Sequence, residues 1–164
     1  MFKKTHNDHK KIFWRISVIM SKKEPIEKTR IEVASAESQE LANRLGSEMT
    51  QSYGAREEAH ISILIRRDDG GIIGGLNGLA HWRWLYIRHL WVEQNYRRLG
   101  YAKKLISIAK DLAYERNYIG VYIDTFDTNT AHFYKNFGFK IYGEIPDFPI
   151  GFNRIFLYLP LGAP

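Results

Sequence analysis

Cysteine is absent from this 164-residue chain. Its absence excludes disulfide bonds, cysteine-ligated zinc and a thiol nucleophile, and it fits a reducing cytoplasm, where we expect the protein to reside. Long apolar runs are absent as well, since none approaches the roughly 20 residues that a membrane-crossing helix needs. The apolar segment 12–20 follows a basic stretch, but Arg15 interrupts it and no small-residue cleavage site follows, so it is not interpreted as a signal peptide. No membrane partner is expected.

The chain length fits one domain. We divide the chain into an N-terminal extension, residues 1–24, and a domain over residues 25–164. The extension is either disordered or docked on the domain through Phe13 and Trp14. The net charge of +6 indicates an anionic partner, which could be nucleic acid, a membrane surface or a phosphorylated cofactor. Charge alone does not choose among the three.

The first half of the chain predicts strands around one helix. Residues 29–34 alternate Ile31 and Val33 with polar neighbours, which predicts a short strand. Ser35 or Ser38 is expected to cap a helix that runs to about residue 51. Residues 60–67 and 72–80 then predict a hairpin closed by Asp69-Gly70-Gly71. Residues 84–92 are aromatic and β-branched and predict a third strand of the same meander.

The second half begins with the clearest helix. Its apolar residues recur at helical spacing from Ala102 to Ala113, with lysines and other polar residues on the opposite face. Residues 118–125 predict a strand, 130–136 a short helix ended by Gly138, and 139–143 and 153–159 the last two strands. The predicted fold class is therefore α/β (α+β): a central mixed, mostly antiparallel sheet of about six or seven strands, flanked by helices.

A basic loop with one glycine separates the third strand of the meander from this helix. Gly100 lets backbone N–H groups approach a ligand without a Cβ in the way, and the helix that begins beside it carries partial positive charge at its N-terminus. Arg97 and Arg98 add forked donors matched to phosphate oxygens. The loop predicts a phosphate or diphosphate site. It matches neither the P-loop nor the Gly-x-Gly-x-x-Gly pattern. Taken alone, the loop could also be an ordinary tight turn with solvated arginines.

Two motifs together resemble a known family. Leu90-Trp91-Val92, followed after four residues by Arg97-Arg98-x-Gly100-x-Ala102, resembles the Arg/Gln-x-x-Gly-x-Gly/Ala loop of the GNAT N-acetyltransferase superfamily. Asp124-Thr125-Phe126 and the stretch from Phe133-Tyr134 to Gly138-Phe139 are similar to that superfamily's later strand and its Phe-Tyr-x-x-x-Gly-Phe segment. The resemblance spans about residues 29–159. It implies a GNAT-like domain that uses acetyl-CoA to acetylate a primary amine of a small molecule or peptide.

The resemblance also implies roles for individual residues. The Leu90 N–H is expected to face the thioester oxygen, and Tyr134 is the candidate general acid that protonates the leaving thiolate in a direct transfer within a ternary complex. Core packing is the other interpretation of Tyr134, because phenylalanines surround it in the sequence. The residues expected to bind the cofactor are Leu90, Trp91, Val92, Arg97, Arg98, Leu99, Gly100, Tyr101, Ala102 and Lys103.

The general base has no clear candidate in the sequence. Many members of the superfamily carry a carboxylate on the strand before the cofactor loop, where this chain has Tyr86 with Arg88 nearby. His89, Glu93, Asp124 and water remain open. The usual family asparagine is also replaced, by Asp127, which puts a cofactor role for Asn129 in doubt. No histidine pair has ligand spacing, so no metal is expected.

Other functions and partners stay open at this point. A non-catalytic acyl-CoA-binding regulatory module is the alternative, because the strand carboxylate is missing. Nucleic-acid binding ranks low, because the basic residues are not interleaved with aromatic residues as in RNA-binding modules. Trp82, Trp84 and Trp91 are expected to cluster around Tyr86, as core residues or as an aromatic acceptor pocket. The acceptor amine and a homodimer are not decided by the sequence.

Overall fold

The computed structural model describes residues 29–162, which form three α-helices and six β-strands. The strands are β1 (Ala59–Arg66), β2 (Ile72–His81), β3 (Trp84–Val92), β4 (Gly120–Thr125), β5 (Lys140–Ile145) and β6 (Arg154–Pro160). The helices are α1 (Gln39–Tyr53), α2 (Tyr101–Glu115) and α3 (Thr128–Lys135), and a short 3-10 helix, Gln94–Tyr96, follows β3. The predicted N-terminal extension lies outside the described residues.

One mixed sheet contains all six strands, in the order β1-β2-β3-β4-β6-β5. Neighbouring strands are antiparallel except β3 and β4, which are parallel. The β2–β3 connection is a two-residue turn in which Trp82 and Arg83 both have positive φ, the left-handed backbone conformation of a type I′ turn, which matches the right-handed twist of the two strands. The predicted fold class of a mixed, mostly antiparallel sheet flanked by helices is confirmed.

Helix α2 covers one face of this sheet. Its stripe of Leu105, Ile106, Ala109 and Ala113 is fully buried and packs in one core cluster with the inward-facing residues of the strands. The same cluster includes Ala131 and Tyr134 of α3. Helix α2, which follows the basic loop, and helix α3, which carries Tyr134, are therefore both fixed by apolar burial, which contributes roughly 25 cal/mol per Å².

The strand predicted over residues 29–34 is wrong. These residues form no strand, and Ile31 and Val33 are 55% and 77% exposed. Alternation shows which face a strand would bury, but a strand forms only where a neighbouring edge pairs with it. The following helix starts at Gln39 rather than nearer Ser35, because the Ser38 hydroxyl accepts a hydrogen bond from the Leu41 N–H at 3.2 Å.

Candidate functional site

Strands β3 and β4 part at the centre of the sheet. Their parallel pairing runs from Trp84 and Gly120 to Ile87 and Ile123 and stops there. At the same level β3 has a β-bulge against β2, at which Arg88 is the extra residue. Bulges re-aim a strand, and beyond this one β3 pairs with β2 alone among the described strands. One edge of residues Leu90–Val92 is therefore open.

The open edge carries unpaired peptide groups. The Glu93 N–H donates to the Ile73 carbonyl of β2 at 2.8 Å. Successive peptide groups of a strand alternate between its two edges, so the N–H groups of Leu90 and Val92 point away from β2. The Val92 carbonyl accepts a hydrogen bond from Arg97 Nε at 3.0 Å, which agrees with this orientation. This part of β3 can pair with an extended ligand as it would with an added strand.

A cleft of about 650 Å³ lies along this edge. Seven predicted site residues line it: Leu90, Trp91, Val92, Arg97, Arg98, Ala102 and Tyr134. Four residues that were not predicted complete the lining: Asp127, Asn129, Thr130 and Phe133. The structure thus brings the strand, the basic loop and the tyrosine helix to one place, although they are far apart in the sequence.

The basic loop delivers the N-terminus of α2 to this cleft. Arg98 and Gly100 both have positive φ, at 62° and 87°, and Gly100 is the N-cap residue of α2. The Lys104 N–H donates to the Gly100 carbonyl at 3.0 Å and so begins the helical ladder. The N–H groups just before Lys104 have no partner one turn earlier in the helix, and the aligned peptide dipoles make this end partly positive.

The remaining predicted cofactor residues do not line the cleft. Leu99, Gly100 and Lys103 are exposed, and the Tyr101 ring packs against Tyr96 with ring centroids 6.2 Å apart. The two arginines also differ. Arg97 holds the Val92 carbonyl through Nε, whereas the described residues offer Arg98 neither an ion pair nor a hydrogen bond. Arg97 fixes the loop to β3, and the guanidinium of Arg98 is free to meet a ligand.

Tyr134 is buried in the wall of the cleft. It is 4% exposed, and its ring packs between Phe133 and Phe139 at centroid distances of 5.5 and 5.9 Å. Its hydroxyl makes no hydrogen bond to any residue that the structure describes. Burial raises the pKa of Tyr134 to about 12, with a further contribution from the negative charge of Asp124. The phenol therefore keeps its proton and acts as a donor.

Asp124 links three elements at the point where β3 and β4 part. The Tyr86 hydroxyl of β3 donates to its Oδ1 at 2.6 Å, and Arg154 Nε of β6 donates to its Oδ2 at 2.7 Å. The carboxylate is 12% exposed and the guanidinium 26% exposed. Burial alone raises the pKa of Asp124, but the hydrogen bonds from Arg154 and Tyr86 outweigh burial and lower it. Arg154 was not predicted as a site residue.

The other two residues considered as a base lie elsewhere. His89 lines a separate cavity of about 280 Å³ with residues of β1 and β2, among them His60 and Asn77. Glu93 precedes the 3-10 helix, and neither it nor Asp124 lines the cleft of Tyr134. Of the three candidate side chains, only Asp124 has an electrostatic effect on Tyr134.

Asp127 and Asn129 have different positions in the site. The Asp127 carboxylate caps α3, accepting hydrogen bonds from the Thr130 N–H and the Thr130 hydroxyl, both at 2.7 Å. These bonds lower its pKa. Asn129 makes no such bond and lines the cleft. The spacing of an aspartate three residues before a threonine is an N-cap signal that could have placed the start of α3.

The expected tryptophan cluster does not form. Trp91 lines the cleft of Tyr134, Trp82 lies beside Tyr53 at the end of α1, and Trp84 lines a third cavity with Tyr122, Tyr142 and Tyr158. They separate because Trp82 is in the β2–β3 turn and Trp91 lies beyond the bulge of β3. Tyr86 stacks instead on Tyr122, with ring centroids 4.7 Å apart.

Residues 29–162 have neither a candidate metal site nor a candidate membrane span. No group of three or more His, Cys, Asp or Glu side chains in this range could hold a metal ion. Among the same residues, no helix combines the length and the apolar character that crossing a membrane requires.

The sequence and the structure were compared with known proteins. The acetyltransferase (GNAT) family model matches residues 27–139. Acetyltransferase Atu2258 from Agrobacterium fabrum is 32% identical over 115 residues, which cover 70% of this chain and 84% of that protein. The crystal structure of an acetyltransferase from Bacillus cereus superposes with a TM-score of 0.73 at 25% identity, covering 81% of this chain and 98% of that one.

A third neighbour carries a ligand. A Bacillus anthracis protein assigned as a streptothricin acetyltransferase, in complex with acetyl coenzyme A, superposes with a TM-score of 0.56 at 28% identity and covers 63% of each chain. The family model covers well over half of this chain, and the Agrobacterium relative matches most of its length. The chain therefore belongs to the acetyltransferase (GNAT) family and is an acyltransferase.

Proposed function

We propose that this chain transfers the acetyl group of acetyl-CoA to a primary amine of a small molecule or peptide, directly within a ternary complex. One observation carries the proposal: the open edge of β3 and the N-terminus of α2 meet in a single cleft that also contains the Tyr134 side chain. The open edge of β3 suits an extended arm that carries amides, and the N-terminus of α2 suits a phosphorylated end. Tyr134 suits a reacting thioester. The neighbour that holds acetyl-CoA supports the choice of ligand.

The residues present fit acetyl-CoA. The peptide groups of Leu90 and Val92 at the open edge would pair with the amides of the pantetheine arm, as in β-strand addition. The first-turn N–H groups of α2 and the guanidinium of Arg98 would hold the diphosphate. A Cβ built on Gly100 meets no atom within 4 Å, so this side of the loop is open to a ligand.

The same cleft supplies two groups for the chemistry. The Leu90 N–H would donate a hydrogen bond to the thioester oxygen as negative charge develops there, and a preorganised donor of this kind is worth roughly 3–4 kcal/mol. Tyr134 would act as general acid, donating its proton to the leaving sulfur. Because the hydroxyl of Tyr134 has no protein partner among the described residues and keeps its proton, it is available for this role.

The test measures binding and turnover separately. Calorimetry should show that acetyl-CoA and CoA bind to the full chain. A thiol-reactive dye should then report CoA release when acetyl-CoA is mixed with a panel of primary amines, and because the chain has no cysteine the protein gives no background. Failure to bind acetyl-CoA would refute the proposal. Tight binding without turnover on any amine would also overturn it, in favour of a non-catalytic acyl-CoA-binding module.

A further inference from the structure

Tyr86 lies at the point where β3 and β4 part. It pairs in register with Tyr122, one residue before the last pair of the parallel ladder, and Asp124 is the first residue of β4 beyond that ladder. The Tyr86 hydroxyl reaches across this gap to Asp124 Oδ1 at 2.6 Å. The phenol therefore lies where the two strands separate.

The hydrogen bond to Asp124 determines which further hydrogen bonds the Tyr86 hydroxyl can make. A hydroxyl has one proton to donate and two lone pairs that accept. The proton is committed to Asp124 Oδ1, and Arg154 Nε holds the other carboxylate oxygen at 2.7 Å, so the carboxylate cannot turn away. The Arg154 guanidinium also donates toward the Tyr86 oxygen and takes up part of its acceptor capacity. To a further group the Tyr86 oxygen therefore presents its remaining lone pair.

The surroundings keep this arrangement rigid. The Tyr86 ring stacks on Tyr122 with an interplanar angle of 7°. The Arg154 guanidinium lies over three phenylalanine rings, within 5.2 to 5.6 Å of the centroids of Phe126, Phe148 and Phe156. Burial and the hydrogen bond to Asp124 raise the pKa of Tyr86, so its proton stays in place.

Asp124 is hydrogen-bonded to Tyr86 and acts on Tyr134 only through its charge, and the two tyrosines have opposite hydrogen-bonding character. Its charge contributes to the raised pKa of Tyr134, whose hydroxyl has a free proton to donate. Tyr86, by contrast, has only acceptor capacity left. Amine acetylation needs both kinds of group, since the leaving sulfur must receive a proton and the attacking nitrogen must be held through an N–H.

We propose that the Tyr86 oxygen accepts a hydrogen bond from an N–H of the acceptor amine and aims its lone pair at the acetyl carbon, with Asp124 and Arg154 as positioning residues. This inference rests on the proposed function and adds to it the residue that holds the acceptor nitrogen. A substrate nitrogen must attack with its lone pair while it donates an N–H to Tyr86. Primary amines meet that requirement, and tertiary amines do not.

The protons balance in this scheme. The amine nitrogen forms a bond to the acetyl carbon and the carbon–sulfur bond breaks, with its electron pair going to sulfur. Tyr134 gives its proton to that sulfur, and the surplus proton of the nitrogen leaves past the Tyr86 oxygen to water. Tyr134 then recovers a proton from water, so the products are the amide and the thiol.

The test removes the Tyr86 hydroxyl and keeps its ring. For Tyr86→Phe, kcat/KM for the amine should fall about 10- to 100-fold, the range expected for a hydrogen bond to a charged group. Binding of acetyl-CoA should stay near wild type. The melting temperature should fall, because Asp124 Oδ1 loses the hydrogen bond that Tyr86 donates, so the kinetics are measured well below it. Tyr158→Phe makes the same change on the same face of the sheet, where the hydroxyl has no described hydrogen bond, and should leave the kinetics unchanged. Equal kinetics for the two variants would overturn the inference.

A second variant tests the role of the carboxylate. The amide of Asp124→Asn can donate to the Tyr86 oxygen and so remove its fixed acceptor character. Its kcat/KM should fall to a similar degree, and the double variant should lose no more than either single one. If the losses in kcat/KM of the two single variants add up in the double variant, Tyr86 and Asp124 act independently, which argues against the proposed role of Asp124. The wild-type assay separates the two proposals: an inactive wild type refutes the proposed function, whereas an active wild type with an equally active Tyr86→Phe refutes only this inference.

Discussion

At the scale of single residues, the proposed mechanism depends on the protonation of two tyrosines and one carboxylate. Tyr134 could be proposed from the sequence because the Phe-Tyr-x-x-x-Gly-Phe pattern is local. The Tyr86–Asp124–Arg154 network could not, because its members are 38 and 30 positions apart. Such contacts depend on strand register, and a one-residue shift would turn each side chain to the other face of the sheet. The role of Arg154 therefore required the folded structure.

Tyr134→Phe should lower turnover by roughly 10²-fold or more while acetyl-CoA affinity stays the same, because the variant loses a proton donor and keeps the packed ring. Stability should not fall, since the hydroxyl has no partner among the described residues. Steady-state kinetics and calorimetry check both statements. Tyr118→Phe, a partly buried tyrosine packed against the core away from the cleft, is the control. Unchanged turnover in Tyr134→Phe would remove this residue from the mechanism.

The pH dependence of the wild type gives an independent readout of the same residue. An ordinary tyrosine loses its proton near a pKa of about 10, whereas burial raises the pKa of Tyr134 to about 12. A raised pKa keeps the donor protonated, so ionisation of Tyr134 should not reduce kcat at any pH below the raised value. An alkaline loss of kcat centred near pH 10 that disappears in Tyr134→Phe would contradict this assignment.

At the scale of elements, helices were predicted more reliably than isolated strands. The stripe on α2 is intrinsic to the helix period, and all of its central members are buried as expected. Residues 29–34 have an equally regular alternation and form no strand. A helix satisfies its own backbone, but a strand needs a partner whose position the local sequence does not specify. For the same reason the bulge at Arg88, which opens the edge of β3, was not predicted.

The N-terminus of α2 gives a prediction with a matched control. Gly100 and Gly70 both have a φ of 87°, and a Cβ at either position meets no atom within 4 Å. Alanine at each should therefore cost a similar amount of stability, about 1–2 kcal/mol for a left-handed residue. Only Gly100→Ala should weaken acetyl-CoA binding, by about tenfold or about 1.4 kcal/mol, because Gly100 caps α2 whereas the β1–β2 turn that contains Gly70 does not line the cleft. Calorimetric titration and thermal unfolding of both variants measure the difference, and equal affinities would count against diphosphate binding at this loop.

At the scale of the whole molecule, the positive charge is unevenly distributed. Residues 1–28, outside the described part of the chain, contain eight Lys and Arg against three Asp and Glu, so five of the six net positive charges lie there. The rest of the chain has a net charge of only +1, and its cations matter through local clustering. The net charge of +6 could not distinguish a nucleic acid, a membrane surface or a phosphorylated cofactor. Arg97, Arg98, Lys103 and Lys104 surround the N-terminus of α2, and none of them forms an ion pair with a described acidic residue. Unpaired cations beside the partly positive end of a helix favour a compact anion, and the open edge of β3 beside them favours one attached to an extended arm.

This arrangement predicts how salt affects binding. Raising the ionic strength to about 1 M shortens the screening length to about 3 Å, so the Kd of acetyl-CoA should rise about tenfold as the loop and its phosphates are screened from each other. Acetyl-pantetheine is the control ligand, because it has the same thioester arm without phosphates and pairs only with β3. Its weaker binding should change little, since apolar contacts and peptide hydrogen bonds are not screened. Competition calorimetry at two salt concentrations measures both constants. A parallel change for the two ligands would mean that the cationic loop does not contact the phosphates, and the diphosphate would then have to bind elsewhere on the chain.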